Sequence, residues 1–143
     1  MPSKLYGNFL AKALNKEVDW DSDTIKVLLA TSSYTPNQDT HDYFNDVSSA
    51  EVTGTGYTAG GITLSSKTAT YDSGTNVIVL DAADVTWSSS TITARYAVVY
   101  DSTGTSSTSA LIGYVDFGSD QSSTNGNFTI TWDSTGIVRI TVA

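Results

Sequence analysis

The chain contains no cysteine, one histidine, one methionine, two prolines and only two glutamates. Without cysteine there is no disulfide framework and no thiolate-bound zinc, and a lone histidine excludes a histidine-based metal cluster. Basic residues are scarce too: seven Lys and Arg stand against fifteen Asp and Glu, a formal net charge of −8 over 143 residues. Phosphate neutralisation and membrane-surface binding both need clustered cations, so neither nucleic acid nor membrane is expected as a partner. No apolar run approaches the roughly 18 residues that cross a bilayer, and no long apolar stretch follows Lys4, so neither a span nor a secretory leader is expected. Charged residues are only 15% of the chain, against roughly 25% in ordinary globular domains.

Hydroxyls fill the gap, with 20 Ser and 22 Thr. Hydrophobic residues make up 39%, including 8 Tyr, 4 Phe and 3 Trp. That is enough apolar material for one core in a chain of one domain's length.

Helical periodicity is confined to the start. From Ser3 to Lys16, Tyr6, Phe9, Leu10, Ala13 and Leu14 recur on one face, with Lys4, Asn8, Lys12 and Lys16 on the other. Beyond it the pattern is that of strands. Thr24–Thr31 is apolar on both faces, which predicts a strand buried on both sides. Val77–Asp81, Ile92–Tyr100 and Ser109–Phe117 follow. Phe128–Trp132 and Val138–Val142, joined by Asp133-Ser-Thr-Gly136, read as a hairpin. Ser32–Ser49, Ser102–Ser109 and Gly118–Asn127 read as loops, the second with so few apolar anchors that it is expected to be mobile or to be covered by a partner. The expected architecture is mainly β: a single-domain antiparallel sandwich or barrel over residues 24–143, preceded by one short N-terminal helix or arm over residues 1–18.

Several motifs suggest chemistry, each with a plainer explanation. Asp19, Asp21 and Asp23 alternate as at the start of an EF-hand loop, but the glycine and terminal glutamate of that loop are replaced by Thr24 and Ala30. They are the weak metal candidates, set against a solvated acidic turn. His41, among Thr40, Asp42 and several serines, has no nucleophile elbow to serve. The remaining aspartates mostly sit beside Ser, Thr or Gly and suit turns better than a hydrolytic carboxylate pair. Gly54-Thr-Gly56-Tyr-Thr-Ala-Gly60-Gly61 lacks the Gly-Lys-Ser/Thr of a phosphate cradle and suits a tight turn or a close chain crossing. The aromatic residues can form a sugar-stacking platform or a core. No catalytic residue, cofactor or firm metal site is expected.

A resemblance adds to this reading. Leu5-Tyr6-Gly7, Lys12–Asp19, Asp23–Val27 running into Thr31–His41, Val52–Gly61, Ala83–Trp87, Thr91–Tyr100 and Gly113–Gly118 are similar to a family of small virion proteins of tailed bacteriophages, nearly end to end. The resemblance implies a non-enzymatic structural role, as a capsid decoration (cement) protein or a minor head or tail component. It implies manufacture in the host bacterial cytoplasm, a place on the outer capsid surface and the major capsid protein as partner. Bridging at capsid symmetry axes makes a homo-oligomer, a trimer, the natural assembly. The alternative is a tail or fibre module binding a host-surface glycan. Four of the seven basic residues, Lys4, Lys12, Lys16 and Lys26, fall early in the chain. On an acidic body this marks Lys4, Tyr6, Phe9, Lys12 and Lys16 as the expected partner contact.

Overall fold

The computed structural model describes residues 3–143; the first two residues of the expected arm lie outside the described residues. Strand β1 (Ser3–Leu5) is followed by helix α1 (Phe9–Leu14), β2 (Ile25–Ala30), two short 3-10 turns, β3 (Ile62–Thr63), β4 (Thr68–Asp72), β5 (Val77–Asp81), β6 (Val85–Asp101), β7 (Leu111–Ile130) and β8 (Val138–Thr141). All pairings are antiparallel. They make a five-stranded sheet, β1-β7-β6-β2-β3, and a three-stranded sheet, β4-β5-β8. The fold is thus mainly β and sandwich-like, with one small helix.

Alternation along β2 explains the layering. Ile25, Val27 and Leu29 point into a core shared with Leu80 and Val138 of the three-stranded sheet and with Phe9 of α1. Leu28 and Ala30 point the other way, into a second cluster with Tyr6, Tyr34, Val47, Val98 and Leu111. The segment 31–50 covers this second face, so β2 is buried on both sides, as its sequence predicts.

Other expectations are corrected. The helix does not begin at Ser3: Ser3–Leu5 extends and pairs with Gly113–Val115. The helix lasts six residues and is closed by Lys16 in the left-handed region (φ 62°). The segment Gly118–Asn127 is strand, not loop. Its polar side chains give no period-2 signal, and large bulges absorb the irregularity: Ala94 faces Gln121 while Tyr96 faces Asp116. Nor do the final strands form a hairpin. β7 pairs with β6, and β8 pairs with β5 in the other sheet. The Asp133–Gly136 turn forms, with Asp133 Oδ1 accepting from the Thr135 N–H at 2.8 Å, but it carries the chain across the sandwich. The glycine-rich segment is the close crossing its composition suggests. A Cβ at Gly61 would lie 1.9 Å from the Val27 carbonyl oxygen, and one at Gly54 2.5 Å from that of Thr91.

Candidate interaction surfaces

The N-terminal segment splits differently from its helical periodicity. Tyr6 and Phe9 are 1% and 3% exposed. The Tyr6 hydroxyl meets that of Tyr34 at 2.7 Å, and Tyr34 in turn meets His41 Nδ1 at 3.0 Å. Burial raises the pKa of both phenols, Tyr34 to about 12. Lys12 also turns inward. Its Nζ lies 3.2 Å from Asp42 Oδ2 and 3.5 Å from the centre of the Tyr43 ring, while the Tyr43 hydroxyl donates to Glu17 at 2.7 Å. Tyr6, Phe9 and Lys12 therefore serve the chain's own packing, and the expected partner contact is corrected for these three: their side chains are already covered. Lys4 and Lys16 stay exposed. Leu10 and Leu14 also face out, 42% and 85% exposed at i, i+4 spacing, with Lys16 following Leu14 closely in the chain. Periodicity placed these leucines with Phe9, because one turn of apolar residues spans more of the helix than the sheet covers.

The three aspartates Asp19, Asp21 and Asp23 are not brought together around a common point. Asp19 Oδ1 accepts the backbone N–H groups of Asp21 and Ser22 at 3.1 Å, and Asp23 Oδ2 accepts that of Asp19 at 2.7 Å. The carboxylates close a turn. Among the described residues no group of three or more metal-ligating side chains converges. Asp23 instead neighbours Asp101 at the end of β6. Burial, then the hydrogen bond and charge of Asp23, push the Asp101 carboxyl up to about 7, opposed by Lys67. Lys67 Nζ itself donates to the Asp23 carbonyl. No pattern in the sequence marks this pair, because Asp101 looks like any strand-end aspartate.

His41 is held within its own segment: its Nδ1 accepts the Asn37 N–H at 3.3 Å and lies 3.0 Å from the Tyr34 hydroxyl. The Ser102–Ser109 loop, poor in apolar anchors, is held by hydroxyls. Ser109 Oγ donates to the Thr105 carbonyl at 2.8 Å, and Thr103 and Thr108 meet at 2.6 Å.

The aromatic residues are mostly inside. Trp20 and Trp87 are buried, Trp132 is half-buried with Nε1 donating to the Ala83 carbonyl, and among the described residues Tyr71 is the one exposed aromatic ring, at 56%.

The remaining surface feature runs along β7. β1 covers only Gly113–Val115 of its outer edge, so the rest of that edge has no strand beside it. Beyond β1 the strand folds back, with the Phe117 and Phe128 rings 6.2 Å apart, and two depressions of about 180 and 410 Å³ lie where Phe117 meets Ile130 and Thr131; a third, about 340 Å³, lies beside β1 against Asp133 and Thr135–Arg139. Phe117, Ile130, Trp132 and Asp133 line the smallest one. None of the three is lined by Asp101, Asp23 or His41. Comparison with protein-family models, with curated proteins and with solved structures found no match.

Proposed function

We propose that the chain is a non-enzymatic structural protein of a tailed-phage virion, a decoration protein that docks on the outer capsid surface and bridges neighbouring major capsid protein subunits. The observation that carries the docking reading is the outward ridge of α1: Leu10 and Leu14 are exposed beside Lys16 on a body of net charge −8. Exposed leucines at i, i+4 have no use in the chain's own core and suit an apolar contact, with the exposed lysines giving attraction to an acidic capsid. Repeated weak contacts at subunit junctions then add up through multivalency. The sequence resemblance to phage virion proteins supports the same role. A glycan-binding fibre module has less support, since stacking needs exposed rings and the tryptophans face inward or half-inward.

The test is titration onto undecorated capsids at two salt concentrations. A Leu10→Ser/Leu14→Ser variant is expected to weaken binding at both. A Lys4→Ala/Lys16→Ala variant is expected to weaken it chiefly at low salt and to flatten the salt response. Both should melt like the parent. Unchanged affinity for both would overturn the docking face.

A further inference from the structure

The depression of about 410 Å³ at the fold of β7 differs in chemistry from its two neighbours. It is lined by the amides of Gln121 and Asn127, the hydroxyls of Thr129 and Thr131, and the rings of Phe117 and Phe128, and no Asp, Glu, Lys or Arg lines it. Both neighbouring depressions take in Asp133. Of the acids close by in the chain, Asp116 is paired with Arg95 at 2.6 Å, and Asp120 does not line the depression.

Hydrogen bonding within the chain leaves a defined set of groups for a ligand. The hydroxyls of Ser122 and Thr129 are taken up by Thr93 and Thr86. Gln121 Nε2 donates to Ser119, which leaves its carbonyl oxygen as an acceptor. Asn127 and Thr131 are exposed, and among the described residues their side chains have no hydrogen-bond partner. An amide offers two donors and an acceptor, and a hydroxyl both donates and accepts. Phe117, half-buried, supplies aromatic surface beside them.

We propose that this depression binds a neutral saccharide. Its volume falls in the range of small-molecule sites, roughly 300–1,000 Å³. A phosphate, a zwitterion or an acidic sugar would lose water there without gaining a counter-charge, and a body of net charge −8 repels anions in any case. An apolar ligand would cover Asn127 and Thr131 and leave them unpaired. A neutral sugar answers both conditions: its hydroxyls donate and accept, and its C–H faces suit an aromatic ring. The tryptophans take no part, and no residue of α1 lines the depression, so the site stands independently of the capsid reading.

Titration of the isotope-labelled full chain, followed by amide NMR, tests it with glucose, galactose and N-acetylglucosamine as probes and with glucuronate and glycerol as controls. At least one neutral sugar should give saturable shifts confined to residues 117 and 121–131, with glucuronate weaker and glycerol without effect. Asn127→Ala should melt like the parent and weaken binding by about 2- to 12-fold. Phe117→Leu keeps apolar bulk but removes the ring, with a similar loss of about 2- to 12-fold. Should Phe117→Leu not fold, Thr131→Val, on an exposed side chain, takes its place. No saturable shift with any of the three sugars, shifts centred elsewhere, glucuronate bound as tightly as the neutral sugars, or folded variants that bind like the parent would overturn the proposal.

Discussion

Where β6 runs beside β2, from Tyr96 to Asp101, both of its faces meet apolar side chains. Where it runs from Val85 to Ala94, only one face does. In that second stretch Val85, Trp87, Ile92 and Ala94 are buried, and the opposite face is held by hydroxyls. Thr86 meets Thr129 at 2.9 Å and Thr93 meets Ser122 at 2.7 Å. Three of the four register shifts of the β6–β7 pair fall in or at the border of this half. The contrast shows what fixes register. A slip beside β2 would expose a full set of apolar side chains, whereas a slip along hydroxyls exchanges one polar neighbour for another, so bulges accumulate there.

The comparison can be broken most severely at the crossing over β2. Gly61→Ala places a methyl group against the Val27 carbonyl at φ 76°, and should cost at least ~4 kcal/mol or abolish the cooperative melt. Leu28→Ala, fully buried under segment 31–50, should cost about 2–5 kcal/mol in urea unfolding.

Asp101 sharpens the contrast by adding pH. Its folded pKa of about 7 lies above the ordinary carboxylate value, so the folded state favours the proton. The sign is therefore a loss of stability as pH rises from about 4 to 7, constant beyond. Asp101→Asn should remove most of this slope and melt above the parent at pH 8, by roughly 2–4 kcal/mol. A parent whose stability does not change between those pH values would contradict it.

Lys12→Ala removes a half-covered ion pair and the contact with the Tyr43 ring, at about 1–3 kcal/mol, whereas Lys16→Ala should melt like the parent. The smallest effect belongs to the hydroxyl face. Thr93→Ala should cost less than about 1 kcal/mol and leave exchange protection beside β2 unchanged.

The parts legible from sequence are those where burial writes a pattern. The double-sided apolar run of β2 was readable because only one physical arrangement suits it, and the glycine-rich segment was narrowed to a tight turn or a close crossing, of which the crossing at Gly61 and Gly54 is found. β4 left no trace, since all of its residues are exposed. The second half of β7 was hidden because Ser, Thr and Asn serve turns and hydroxyl ladders equally well. β1 is too short to show a period. The interior role of Lys12 was invisible because its partners, Asp42 and Tyr43, lie thirty residues on in a segment with no regular pattern. The Asp101–Asp23 pair likewise arises only when β2 and β6 align, with Ile25 opposite Asp101.

Both sheets are completed by segments far apart in the chain: β1 waits for Gly113–Val115, and the β4–β5 ribbon waits for Val138–Thr141. A two-stranded ribbon alone is marginal in water, so neither sheet can consolidate early, however quickly its hairpins flicker into being. Folding should therefore be slow for a chain of this size, in the millisecond-to-second regime of proteins dominated by distant pairings. While it waits, the charge-free Gln121–Ile130 stretch of β7 stands open to any neighbouring strand. Slow refolding at high concentration should consequently favour entangled copies over the native monomer unit, and dilution should restore yield.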